Sequence, residues 1–148
     1  MRGMKLFTIG FAGKSAEEFF TSLVKNGVRK VIDVRLNNVS QLAGFTKKND
    51  LRYFLKVIAA IEYEPVPLLA ATKELMEGFR GGKISWEEFE AAYLDLLEER
   101  QVLTKLKPED FDRACLLCSE EKPDHCHRRL AAEWLKGKWG GMEVRHIL

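Results

Sequence analysis

Nowhere does this 148-residue sequence hold the run of about 20 apolar residues that a membrane-spanning helix needs, which predicts a chain without membrane contact. Proline occurs 4 times and glycine 11 times, too seldom for a fibrous or low-complexity chain. Three cysteines are an odd number and too few for a disulfide scaffold. Reduced thiols and a cytoplasmic setting are therefore expected. Neither sign of charge dominates: 24 Lys and Arg against 22 Asp and Glu leave +2. Net charge thus gives no indication of a nucleic-acid partner. Met1-Arg2-Gly3-Met4-Lys5 runs straight into a strand-like segment and reads as free of a signal peptide. No P-loop and no glycine fingerprint for a dinucleotide is present. A phosphatase-like cysteine loop is missing too, because neither Cys118 nor Cys126 is followed at the right distance by an arginine. What is there, 46% hydrophobic and 31% charged, suits one folded domain over residues 1–148.

The apolar pattern alternates between strand and helix. Lys5 to Phe11 is a β-branched apolar run closed by Gly10, Ala12 and Gly13. Ser15 and Glu18 have capping-box spacing, Phe19, Phe20, Leu23 and Val24 follow at helical spacing, and Gly27 suits the position after the last turn. Lys30 to Leu36 reads as a second strand, covered on both faces. This strand, helix, strand series predicts a parallel pair with a right-handed crossover. Leu51 to Ile61 is a further amphipathic helix, with Asn49 or Asp50 as its N-cap. Tyr63 to Leu69 carries Pro65 and Pro67 and can be only a short edge strand. Ala70 to Phe79 suits a short helix. Ser85 and Glu88 repeat the capping-box spacing ahead of the apolar stripe Trp86, Phe89, Tyr93, Leu96 and Leu97. Pro108 to Asp112 reads as a loop, Ala114 to Ser119 as the central strand, and Glu143 to Leu148 as a closing strand. The predicted fold class is α/β: a three-layer, Rossmann-like sandwich with a mostly parallel central sheet.

The chemistry concentrates in one stretch. Cys118 to His127 holds two of the three cysteines and two of the three histidines. It links the central strand to a helix expected from about His125, with Asp124 as N-cap. A loop there lies at the carboxyl end of a strand, where open α/β sheets bind ligands. Asp33 and Arg35 are two apart near one strand end, and Cys118 and Glu120 near another. Each pair shares one face of its strand, so all four groups are expected at one site. The competing reading is a structural salt bridge, Asp33–Arg35 or Glu120–Arg35. Arg35, Arg128 and the N–H groups of the helix terminus would suit a phosphate-sized anion. A helix terminus would also activate a thiol. Cys115 and Cys118 have CxxC spacing, but on a strand positions three apart face opposite sides. Cys115 is thus expected to be an inert core residue. A metal site of Cys118, Cys126 and one histidine stays geometrically open, yet neither metal nor cofactor is expected.

Thr8-Ile9-Gly10, Asp33-Val34-Arg35 with Ser40, Tyr63 with Pro67 and Leu69, Cys118-Ser119-Glu120, Cys126-His127-Arg128 and His146-Ile147 together resemble the pattern of the domain-of-unknown-function 488 family. The resemblance covers nearly the whole chain. It implies a small α/β protein whose polar residues gather at one active site, in a family with no established reaction. The chain departs from the pattern at Asn38, where the family usually has proline, at Pro65, where histidine is frequent, and at Ala70-Ala71, where a glycine pair is usual.

Two functions follow. One is an enzyme acting on a phosphorylated or nucleotide-like small molecule, with Asp33, Cys118, Glu120 and Cys126 as catalytic groups and Arg35, Ser40, Tyr63, His127 and Arg128 as binding groups. The other is a module that binds an anionic ligand or nucleic acid without turnover.

Overall fold

The computed structural model describes residues 3–36, 44–120 and 123–148. Among the described residues five strands form one sheet in the order β3-β2-β4-β1-β5: β1 (Met4–Gly10), β2 (Lys30–Asp33), β3 (Glu62–Pro65), β4 (Ala114–Cys118) and β5 (Met142–Ile147). Every pairing is parallel. The predicted α/β class and the interior position of β2 and β4 are both found. β3, with Pro65 at its end, lies at an edge, as a strand with a missing N–H donor must.

Helices cover both faces, which is why β4 is apolar throughout rather than alternating. On one face α1 (Ala16–Lys25) and α2 (Lys48–Ala59) bury Phe19, Leu23, Leu51 and Leu55 against Phe7, Ile9, Val31, Cys115 and Leu117. On the other, α4 (Trp86–Glu99) and α6 (His127–Trp139) bury Tyr93, Leu97, Leu130 and Leu135 against Leu6, Ile32, Val34, Leu116 and Cys118. The short helices α3 (Lys73–Arg80) and α5 (Val102–Lys105) add Met76, Phe79 and Val102 to that second core.

The local rules account for most boundaries. Ser15 and Ser85 cap their helices, and both form complete capping boxes with Glu18 and Glu88. Ser85 Oγ accepts the Glu88 N–H at 3.1 Å, and the Glu88 carboxylate takes the Ser85 N–H at 3.0 Å. Ser85→Ala should therefore cost about 1 kcal/mol. Urea unfolding at constant slope measures it, and a change of only a few tenths would contradict the cap's role.

Several expectations need correction. β1 and β2 are parallel but not adjacent, because β4 enters between them. The α2 N-cap is Lys47, not Asn49 or Asp50, and makes no side-chain cap bond. Residues 108–111 form a 3-10 helix rather than a loop. Asp124 does not cap α6: a turn from Pro123 to Cys126, closed by a 3.2 Å backbone bond, delays the helix so that Cys126 becomes its N-cap.

Candidate active site

β4 differs from both neighbours in the side its connection takes. The chain leaves β1 and β2 for helices on the α1/α2 face, and leaves β4 for α6 on the opposite face. Where neighbouring connections diverge, a crevice opens at the carboxyl ends of the strands. Cys118, the last residue of β4, stands at that crevice. Its neighbour in β1 is Gly10, which is there because nothing larger fits. A Cβ on Gly10 would lie 1.4 Å from the Glu120 carbonyl oxygen and 2.8 Å from Arg128 Nη1.

Three sequence-predicted residues converge here. One ligand-type atom from each of Cys118, Cys126 and His127 lies within 4.8 Å of the others, and all three residues are buried. The imidazole is held at both ends: Nε2 is 2.7 Å from the Val34 carbonyl, and Nδ1 is 3.8 Å from Cys118 Sγ. A carbonyl can only accept, so Nε2 carries a proton, and Nδ1 faces the thiol. The hydrogen bond from Cys126 holds Cys118 well below the ordinary thiol range against the opposing effect of burial, and His127 adds to it. Cys126, as the donor in that pair and itself buried, is pushed up. Burial works against a charged His127, but Cys118 beside it and the hydrogen bond to Val34 together raise its pKa.

The three groups line a cavity of about 280 Å³. Its walls are Met76 and Phe79 of α3 and Trp86 and Phe89 of α4, with Arg80, Ser119, Glu120 and His125 completing the lining. Arg80, Glu120 and His125 are solvent-exposed. The His125 ring lies 5.0 Å from that of Trp86.

Asp33 and Arg35 are not in this cavity. Asp33 aligns with Leu117 across the β2–β4 pair, which puts it on the face opposite Cys118. Its carboxylate accepts from Arg35 Nε at 2.9 Å and Nη2 at 2.8 Å, and also from the Tyr63 hydroxyl. Arg35 Nη2 donates to the Thr46 carbonyl at 2.6 Å, and the guanidinium lies 5.6 Å from the centre of the Phe11 ring. Asp33 and Arg35 line a second cavity of about 350 Å³ with Pro65, Pro67 and Arg100. Tyr63 stands beside the ion pair, its pKa raised by burial and by Asp33. The single site expected from the paired spacings is thus two, and the Asp33–Arg35 salt bridge is present. The pairs share a face within each strand, but the register sets the two faces apart.

Arg128 is buried in α6 and donates from Nη1 to the Glu120 carbonyl at 2.6 Å. It lines neither cavity. Arg35 and Arg128 therefore do not make the shared anion cradle that the sequence suggested. Ser40 lies outside the described residues. Cys115 points into the opposite core, and burial pushes its thiol pKa up.

A family model, described as domain of unknown function DUF488, matches residues 15–135. The chain belongs to the DUF488 family. No curated protein and no solved structure matches it. The DUF488 match spans β2, β4 and the start of α6, and so includes every group of the cysteine centre. Of the residues that carry the resemblance, Thr8, Ile9, Gly10, His146 and Ile147 lie outside that match. Thr8 and His146 bond to each other at 2.6 Å between neighbouring strands. Burial lowers the His146 pKa, while Glu133 opposes that shift. In this DUF488 chain the sequence reading missed the aromatic wall. Trp86 and Phe89 read as core stripe, and only their place in the first turn of α4 hinted at a role beside a ligand.

Proposed function

We propose that the chain is an enzyme acting on a phosphorylated or nucleotide-like small molecule, with Cys118 as nucleophile and His127 as the group that takes and returns its proton. The observation that carries this reading is the Val34 carbonyl on His127 Nε2. It fixes the ring so that Nδ1 meets the Cys118 sulfur, the arrangement that activates a thiol nucleophile. Phe79 and Trp86 line the cavity with aromatic surface against which a flat heterocycle can pack. Arg80 at the rim suits an anionic group, and Glu120, which also lines the cavity, suits proton exchange with the substrate. Asp33 and Arg35 act as positioning residues in this reading. They flank Val34 in sequence, and their buried ion pair holds the segment that orients His127.

A module that only holds an organic anion has no need of an oriented thiol–imidazole pair, so catalysis on such a ligand is favoured. The test is iodoacetamide labelling of the reduced, chelator-treated protein, with the sites mapped by mass. Cys118 should react first and Cys115 not at all. His127→Asn should slow labelling of Cys118 by about a hundredfold, the lower end of what a positioned base contributes. Equal reactivity of Cys118 and Cys126, or no effect of His127→Asn, would reject the nucleophile. Thermal-shift titration with nucleotides, nucleosides and sugar phosphates then identifies the ligand class, since a molecule that binds only the native state raises the midpoint.

A further inference from the structure

We propose that Cys118, Cys126 and His127 form a binding site for a thiophilic divalent metal ion, Zn(II) above all, with three protein ligands and a fourth position open to the cavity. Two sulfurs and one imidazole nitrogen form a donor set that Zn(II) takes in preference to hard oxygen-binding ions. Their ligand atoms are already gathered within 4.8 Å of one another. A tetrahedral zinc ion sets its sulfur and nitrogen ligands about 3.4–3.8 Å apart. The pair Cys118 Sγ and His127 Nδ1, at 3.8 Å, stands at that spacing. The remaining pairs need to close by no more than about 1 Å, a side-chain adjustment.

The surroundings fit as well. Metal-bound imidazoles almost always give their other N–H to a carbonyl or carboxylate, which fixes the ring and strengthens the ligand. His127 does this with Val34 at 2.7 Å. Two thiolates neutralise a divalent ion, so the occupied site buries no net charge. Three protein ligands leave one position for water or a substrate atom, and the cavity of about 280 Å³ lies on that side.

Coordination displaces two protons, the Cys126 thiol proton and the one shared between Cys118 and His127 Nδ1. An ion at this site ties up the Cys118 sulfur, so the metal-loaded protein has no free nucleophile. Metal binding and the proposed thiol catalysis exclude each other, and each is measured without the other.

The probes are Zn(II) and Co(II) chloride, added to the reduced full-length chain after chelator treatment. One equivalent should bind. The cobalt form should show visible absorption typical of four-coordinate geometry, together with thiolate-to-metal charge transfer in the near ultraviolet. Zinc binding should release two protons in a pH-stat. Cys118→Ser and Cys126→Ser should each weaken binding by at least about a hundredfold, more than the loss of an outer partner costs. Cys115→Ala, on the opposite face of the sheet, should leave it unchanged. X-ray absorption of the wild-type zinc form should find two sulfur neighbours, which keeps the test decisive even where a serine variant does not fold. No saturable binding, a six-coordinate cobalt spectrum without charge transfer, or equal losses in Cys115→Ala and Cys126→Ser would each overturn the site.

Discussion

Gly10→Ala should destabilise the protein by about 3 kcal/mol, at the upper end of what overpacking costs. A methyl group there would stand 1.4 Å from the Glu120 carbonyl oxygen, so backbone has to move, not a flexible side chain. Gly10 pairs with Cys118 in the sheet, and Glu120, two residues past Cys118, lies against it. The expected shift therefore reaches the cysteine centre. Urea unfolding should show a midpoint about 1–3 M lower, given slopes of about 1–3 kcal/mol per molar for small domains. Gly137→Ala provides the contrast. Gly137 lies inside α6 with nothing within 4 Å of an added Cβ. That change should stabilise by about 0.5–1 kcal/mol, because alanine loses less backbone entropy in a helix. If both substitutions act with the same sign, the close approach at Gly10 is not what constrains the loop.

Arg128→Ala should lose about 4 kcal/mol of stability. Among the described residues Arg128 is the largest fully buried side chain, and its Nη1 holds the Glu120 carbonyl at 2.6 Å. Truncation opens a cavity, which costs about 2–5 kcal/mol for a large buried side chain. It also removes the donor from a carbonyl, for about 1–3 kcal/mol more where water cannot replace it. Relaxation of the loop recovers part of this sum. For a chain of this size the thermal midpoint should fall by about 8–16 °C. Affinity for pyrophosphate should stay the same, because Arg128 lines neither cavity. The opposite pattern, weaker pyrophosphate binding with stability intact, would restore Arg128 to a ligand-binding role. Arg128→Lys should recover less than half of the loss, since an ammonium lacks the planar fork of the guanidinium.

Much of the fold was legible because it rests on local rules. Ser15 and Ser85 announce α1 and α4 through hydroxyl and carboxylate at fixed spacing. Pro65 announces an edge strand because it has no N–H to donate. The apolar runs of β2 and β4 announce interior parallel strands because both faces must be covered. Where local signals were weak or competed, boundaries slipped. Asp124 is a good capping residue, but the Pro123–Cys126 turn stops it from reaching the first turn of α6. Lys47 has no capping side chain at all, so nothing in the composition marks the start of α2.

The sequence by itself determined the α/β class, the interior place of β4, the buried position of Cys115 and the clustering of cysteine and histidine after that strand. These follow from periodicity, turn chemistry and short chain separation. Only the tertiary structure decided that β4 lies between β1 and β2, and that Asp33 aligns with Leu117 rather than Cys118. Strand order and register arise from backbone pairing between distant segments, and a one-residue change of register moves a side chain to the other face. That alternation separates the Asp33–Arg35 pair from Cys118 and brings the Val34 carbonyl, not a carboxylate, to His127. Packing of α3 and α4 across the same face, also beyond local reach, supplies the aromatic wall opposite the thiols.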